Sequence, residues 1–271
     1  MTKFLKDINL KGKVAVITGA GSGIGEVIST DLASRGCKVA LVDMDELSID
    51  RVANKIIQKG GEAIPIKANV SKENDTAMFV AKVIKSFKKL NIVIPCAGII
   101  KDGLLLKPDR ESHTIKKKLD ITKWQSVLDV NLTGTFLTVR DTAEAIYNGG
   151  WSGLIVPISS INKIGQIGQL NYSSTKAATA LFPKILIGEF MMKGIKNIRV
   201  VGIAPGYTST PLLKSMNQDI LNTLIKDIHL GRLVDPREIS SLIVHCAENE
   251  AINATTIEIT GGICFSESIA K

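Results

Sequence analysis

The sequence is poor in the residues that build metal centres and disulfide frameworks. Its 271 residues include four cysteines and three histidines. Cys37, Cys96, Cys246 and Cys264 stand far apart without a CxxC pair, and His113, His229 and His245 are isolated. Zinc ribbons and disulfide scaffolds need tighter spacing, so buried, reduced thiols and no metal site are expected. Aromatic residues make up only 4% of the chain, too few to supply stacking platforms for single-stranded nucleic acid. No apolar run reaches the roughly 18–20 residues that cross a bilayer. The opening Met1-Thr2-Lys3-Phe4-Leu5-Lys6-Asp7 lacks the apolar stretch of a signal peptide. These absences predict a soluble, cytoplasmic protein that engages neither membrane nor nucleic acid.

What is present is ordinary globular composition with a surplus of positive charge. Hydrophobic residues are 45% and charged residues 22%, and 34 lysines and arginines against 26 acids leave +8. That balance excludes a disordered or fibrous chain. Lys82, Lys85 and Lys89 fall at the spacing of a solvated helix face. The surplus favours an anionic substrate, carrier or cofactor.

No repeat or Pro/Gly/Ser-rich linker divides the chain, so residues 1–271 read as one domain. Short β-branched runs at 14–18, 38–43, 62–67, 92–95, 153–159, 199–204 and 256–259 alternate with amphipathic stretches. The latter lie at 24–35, 46–59, 73–88, 121–147, 172–192, 219–228 and 236–247. Such alternation predicts seven parallel strands joined by right-handed crossovers, a doubly wound α/β sheet of Rossmann type with helices on both faces. Val14-Ala15-Val16-Ile17 is apolar throughout, as a strand covered on both faces must be.

The first strand runs into Thr18-Gly19-Ala20-Gly21-Ser22-Gly23-Ile24-Gly25 and then a predicted helix. Gly19 permits the tight turn, Gly23 lets backbone approach a pyrophosphate, and Gly25 lets helix and strand pack closely. The helix start offers free N–H groups to the anion. Asp43 ends the next strand, 18 residues past Gly25. A carboxylate there hydrogen-bonds ribose hydroxyls and repels a 2′-phosphate, and no arginine stands in the loop or directly after Asp43. NAD(H) is therefore favoured, with NADP(H) left open.

Tyr172 and Lys176 stand four apart at a helix start, on one face. A nearby cation stabilises phenolate and brings tyrosine, ordinarily near pKa 10, towards the working range of an acid–base group.

Together the glycine loop, Ser159-Ser160, Tyr172/Lys176 and Pro205-Gly206 resemble the short-chain dehydrogenase/reductase family in its compact form, from about Gly12 to Gly262. Within it the sequence is most similar to the 3-oxoacyl-carrier-protein and acetoacetyl-CoA reductases. That likeness is carried by Asp129-Val130-Asn131-Leu132-Thr133-Gly134-Thr135-Phe136-Leu137, Gly168-Gln169-Leu170-Asn171-Tyr172 and Gly231-Arg232-Leu233.

The resemblance implies that Tyr172 exchanges the substrate's hydroxyl proton and that Lys176 lowers its pKa and holds the nicotinamide ribose. Asn131 would anchor a water chain behind Lys176, and a serine ending the fifth strand would hydrogen-bond the carbonyl oxygen. Counting 13 residues back from Tyr172 lands on Ser159; aligning the strand points to Ser160, with one residue deleted in the following loop. Adjacent strand residues face opposite ways, so one of them serves. Ser160 is preferred, because deletions fall in loops more readily than in buried strands. For the cofactor the resemblance implies Gly19, Ser22, Gly23, Ile24, Gly25, Asp43, Asn69, Val70, Cys96, Ala97, Gly98, Tyr172, Lys176, Pro205, Gly206, Thr208 and Thr210.

Some positions depart from the family pattern. Pro95-Cys96-Ala97-Gly98 replaces Asn-Asn-Ala-Gly, so two asparagine side chains that tie strands together are missing. Asn69 stands where an aspartate usually contacts adenine, and its amide oxygen is expected to accept the same bond. Asn91 replaces another frequent aspartate. These changes predict weakened cofactor contacts without loss of catalysis. The stretch 98–131 is longer than in compact reductases, and the extra residues near 108–118 read as a polar surface loop. Its Lys116, Lys117 and Lys118 are also placed to meet an acidic carrier protein or a CoA phosphate. Residues 208–230 carry apolar residues at helical spacing and are expected to close over an aliphatic or acyl substrate.

The expected activity is interconversion of a ketone and a secondary alcohol, on a free or carrier-linked 3-oxoacyl group, by a homodimer or homotetramer built through its two long helices. A steroid, polyol or secondary-metabolite dehydrogenase is the alternative within the family. A non-catalytic dinucleotide-binding protein is the alternative outside it.

Overall fold

The computed structural model describes residues 10–263, so Cys264 and the opening seven residues lie outside the described residues. The first half builds β1 (Val14–Thr18), α1 (Gly23–Ser34), β2 (Lys38–Asp43), α2 (Glu46–Gln58), β3 (Ala63–Lys67), α3 (Glu73–Phe87) and β4 (Ile92–Pro95). A hairpin of β5 (Leu106–Pro108) and β6 (Ile115–Lys118) follows, then α4 (Ile121–Leu128), a π-helical turn (Asp129–Thr133) and α5 (Gly134–Asn148). The rest comprises β7 (Gly153–Ile155), a 3₁₀ turn (Ile161–Ile164), α6 (Leu170–Met192), β8 (Ile198–Pro205), α7 (Pro211–Lys214), α8 (Gln218–Lys226), α9 (Pro236–Glu248) and β9 (Thr255–Ile259).

Seven strands form one sheet in the order β3-β2-β1-β4-β7-β8-β9, every neighbouring pair parallel. This is the expected doubly wound Rossmann sheet. The two-residue period of β1 splits the core: Ala15 and Ile17 pack with Ile28, Leu32, Ile49, Ile239 and Ile243, beneath α1, α2 and α9. Val14 and Val16 face the opposite side, with Phe79, Val83, Val139 and Ile146 of α3 and α5. All five residues of β1 are buried, which explains its unbroken apolar run. α9 starts with a capping box, Asp235 accepting from Arg237 N and Glu238 reaching back to Asp235 N, an arrangement that stabilises a helix start by about 1 kcal/mol.

Four elements differ from the sequence expectation. The strand expected at 153–159 has regular ladder pairing only over Gly153–Ile155. Pro157 has no N–H to continue it, although Ile158 N still donates to Pro95 O and Ser159 N to Ile203 O. The helix expected at 121–147 is continuous but opens into the π turn. The single helix expected at 219–228 is preceded by the short α7; Asn217 starts α8 by accepting from Asp219 N at 2.8 Å. The stretch near 108–118, expected as a loop, is the β5–β6 hairpin.

The carboxyl ends of β1 and β4 meet where the strand order changes direction. In open α/β sheets such a switch point opens a crevice for ligand.

Candidate active site

The crevice is lined first by the glycine loop. Gly19 has φ +67°, and a Cβ there would lie 2.8 Å from Ala97 Cα, so the loop rests directly on the chain leaving β4. A Cβ on Gly25 would overlap the Gly19 carbonyl oxygen. Only glycine lets the loop fold back on the first turn of α1. Ser22 is the N-cap of α1 but makes no side-chain cap bond, so the first-turn amides of Gly23, Ile24 and Gly25 face the crevice as an anion cradle. Across it, Thr210 Cγ2 is the nearest atom to a Cβ built on Gly23, at 3.5 Å.

Asp43 sits beside this cradle with its carboxylate already oriented. Oδ2 accepts from Gly21 N at 3.0 Å and Oδ1 from Asp45 N at 3.2 Å. Sequence reasoning missed Arg51, which donates to the Gly21 carbonyl at 2.9 Å and forks onto Glu26 at 2.9 and 2.7 Å. That fork holds the Glu26 carboxyl below the usual carboxylate range. Arg51 lies on α2, far along the chain from both partners, so no local spacing announces it. Its charge is committed to Glu26 and the loop backbone.

The missing asparagine pair after β4 is offset by Thr18. Its Oγ1 accepts from both Cys96 N and Ala97 N at 3.1 Å, tying β1 to the start of the next loop. Asn91 does the same at the other end, accepting from Val14 N and donating to Ser152 O. Asn69 Oδ1 accepts from Ser71 N at 3.0 Å and Ser71 Oγ at 2.8 Å. Val70 is buried against Gly134, where a Cβ would meet Val70 Cγ2 at 2.6 Å. Farther along, Gly206 presses on Thr260, and Thr208 Oγ1 donates to Gly206 O.

At the floor of the crevice the π turn carries Asn131. Extra-wide turns of this kind re-aim one side chain out of the helical register. Asn131 Oδ1 accepts from Ile99 N at 2.8 Å and its Nδ2 donates to Ile99 O at 2.9 Å. A Cβ on Gly98 would lie 3.4 Å from Asn131 Oδ1 and 3.8 Å from Lys176 Nζ, so these groups share one small space. Lys176 is 5% exposed and donates to Ile158 O at 2.8 Å. Its Nζ is 5.6 Å from the centre of the Tyr172 ring. Burial lowers the Lys176 pKa from 10.5 to about 8.

The two serines part company. Ser159 Oγ donates to the Lys176 carbonyl at 2.7 Å, away from the crevice. Ser160 Oγ accepts from Asn162 N at 3.1 Å and neighbours the Tyr172 hydroxyl, whose pKa it lowers. Burial raises the Tyr172 pKa, and Ser160 works against that rise. Around the mouth runs a chain the sequence did not disclose: Asn162 Nδ2 donates to Gln169, and Gln169 Nε2 to Asp102.

The first-turn amides of α1, the Asp43 carboxylate beside them and the buried Ser160, Tyr172 and Lys176 fit a nicotinamide dinucleotide. Comparison with known proteins agrees. The family model for short chain dehydrogenases matches residues 13–221. The chain belongs to the short-chain dehydrogenase/reductase family. The human (3R)-3-hydroxyacyl-CoA dehydrogenase is 30% identical over 265 residues, covering 94% of this chain and 96% of that protein. A 3-oxoacyl-[acyl-carrier-protein] reductase of Synechocystis is 30% identical over 259 residues, covering 94% of this chain and 98% of the relative. The acetoacetyl-CoA reductase of Allochromatium vinosum is 30% identical over 256 residues, covering 93% and 98%.

As a short-chain dehydrogenase/reductase, the protein is an oxidoreductase interconverting ketone and alcohol with a nicotinamide cofactor, NAD or NADP. No helix among the described residues is long and apolar enough to cross a membrane.

Proposed function

We propose that this short-chain dehydrogenase/reductase is an NAD(H)-linked reductase of 3-oxoacyl thioesters, running in reverse as a 3-hydroxyacyl dehydrogenase. The convergence of Ser160, Tyr172, Lys176 and Asn131 at the carboxyl edge of the sheet carries the chemistry. The acyl thioester follows from the substrates named for the three relatives, together with the exposed apolar Ile100, Leu104 and Ile167.

Tyr172 gives its hydroxyl proton to the carbonyl oxygen during reduction and takes it back during oxidation. Ser160, pinned by the Asn162 amide, hydrogen-bonds the same oxygen. Lys176 offsets the phenolate charge and holds the ribose, while Asn131, clamped to Ile99, supports a proton path behind it. The bound nicotinamide supplies or removes the hydride. Gly19, Ser22, Gly23, Ile24 and Gly25 receive the pyrophosphate, and Asp43 receives the adenosine ribose. Asn69, Val70, Cys96, Ala97 and Gly98 border the adenosine side; Pro205, Gly206, Thr208 and Thr210 border the nicotinamide. Exposed Phe136 on α5 and Leu181 and Ile185 on α6 offer apolar faces for a dimer or tetramer.

The test follows reduced nicotinamide absorbance with acetoacetyl-CoA, NADH and NADPH being offered separately. Oxidation of NADH with little oxidation of NADPH is the expected result. Silence with both would remove the acyl-thioester reading; turnover of a steroid or polyol instead would replace it.

Two substitutions probe the assignments. Asp43→Ala removes a charge-assisted bond of about 1.5–3 kcal/mol, so kcat/KM with NADH should fall roughly 10- to 100-fold while NADPH is spared or improved. An unchanged NADH/NADPH ratio would separate Asp43 from cofactor choice. Ser160→Ala should lower kcat at least about tenfold, whereas Ser159→Ala should cost roughly 0.5–1.5 kcal/mol of stability and leave kcat near wild type. The reverse pattern would transfer the role to Ser159.

A further inference from the structure

The β5–β6 hairpin pairs only with itself, every one of its strand residues is exposed, and the seven-stranded sheet is complete without it. An isolated two-stranded hairpin is marginally stable at best. Here the ladder also sets Lys107 directly opposite Lys117. Side chains facing each other across a ladder have Cβ atoms about 4.5–5.5 Å apart, and like charges in that position destabilise.

Nearby acids do not relieve the pair. Asp109 accepts the turn amides of Glu111 and Ser112 and pairs with Lys116 at 3.5 Å. Asp120 caps α4, and Asp102 accepts from Gln169. Among the described residues no carboxylate lies within ion-pair distance of Lys107 or Lys117. The ladder thus sets two lysines side by side on one exposed face without an acidic partner.

The hairpin stem leads to the mouth of the active site. Leu119 N donates to Leu105 O at 2.9 Å, and Gly103 N to Gly168 O at 2.8 Å. Asn171, the residue before Tyr172, donates to Lys101 O at 3.0 Å. From Gly103 to Lys107 the chain spans at most about 13 Å at ~3.3 Å per residue. Leu104, Leu105 and Leu106 lie exposed along that path. An apolar track with a reactive end and a paired-cation end calls for a long substrate with a polyanionic tail.

We propose that Lys107 and Lys117 clamp the pyrophosphate of coenzyme A, so that the arm of an acyl-CoA lies along Leu104–Leu106 and its carbonyl reaches Tyr172. This rests on the acyl-thioester reading. Lysine is a compact point charge suited to phosphate. Two of them at one point suit a single small dianion better than the dispersed carboxylates of an acidic carrier protein. The bound anion bridges the two like charges and orders the hairpin.

The experiment compares wild type with Lys107→Ala/Lys117→Ala, using acetoacetyl-CoA and acetoacetyl-pantetheine, which keeps the arm and lacks the phosphates. At low salt the variant's KM for acetoacetyl-CoA should rise roughly 3- to 30-fold, with kcat unchanged and the KM for acetoacetyl-pantetheine unaffected. The wild-type KM for acetoacetyl-CoA should climb with ionic strength and the variant's should not. Equal KM values for acetoacetyl-CoA in the two proteins would overturn the clamp while leaving the reductase reading intact. A defect confined to acetoacetyl-carrier protein would also overturn it, assigning the lysines to a protein partner. Calorimetric titration with coenzyme A, against pantetheine as control, reads the clamp without turnover. Lysine-dependent binding there upholds the clamp even if no thioester is reduced; equal binding by both proteins refutes it.

Discussion

Tyr172→Phe should lower kcat by about 10²–10⁴-fold, the usual contribution of a positioned proton donor, while NADH binding and thermal stability stay close to wild type. The substitution removes one oxygen and keeps the ring beside Lys176. Calorimetric titration with NADH separates binding from proton transfer. Retention of more than a tenth of wild-type kcat would show that another group moves the proton. Ser160 is the neighbour to examine then, since it works on the Tyr172 hydroxyl by lowering its pKa.

Lys176→Met should abolish most of the activity and at the same time stabilise the cofactor-free protein. Burial takes the lysine from 10.5 to about 8. At pH 7 both the folded and the unfolded chain hold this proton, so the folded chain bears the full cost of a buried ammonium. Between pH 8 and 10.5 the folded chain has released a proton that the unfolded chain still binds, so raising the pH in this window favours folding. The span corresponds to about 3 kcal/mol at roughly 1.4 kcal/mol per pH unit. Methionine leaves Ile158 O without its donor, which trims the gain to roughly 1–2 kcal/mol. The variant's Tm should therefore exceed wild type at pH 7 by a few degrees, and the gap should close as pH approaches 10. A Tm below wild type at pH 7 would mean that the ammonium is better accommodated than its burial implies.

The parts of this molecule legible in one dimension are those whose physics is local. β1 and the centre of β2 are apolar runs because both faces of the sheet are covered. Tyr172 and Lys176 meet because a helix places residues four apart on one face. The hairpin resembles a loop in sequence because its strands are three and four residues long and exposed throughout. The π turn left no trace, since a single widened turn shifts the apolar stripe too little to break its period. Arg51 reaches Gly21 and Glu26 only after α2 packs beside α1. The serines illustrate the limit most plainly. Neighbouring residues of identical chemistry differ only in strand parity, which a proline at 157 and a shortened loop obscure. Their partners, the Lys176 carbonyl for one and the Tyr172 hydroxyl for the other, exist only in space.

The π turn also governs how this chain can vary. Each residue of an α-helix turns the chain by about 100°, so the direction of Asn131 depends on how many residues precede it in the helix as much as on which they are. Substitutions flanking Asp129–Thr133 alter packing by degrees. Loss of one residue there swaps wide pitch for regular pitch and an insertion widens it further; either swings one half of the helix against the other and carries Asn131 away from Ile99. Drift by point mutation is therefore cheap along this segment, and drift in length is not. The region's length is a more sensitive record of retained activity than its residue identities.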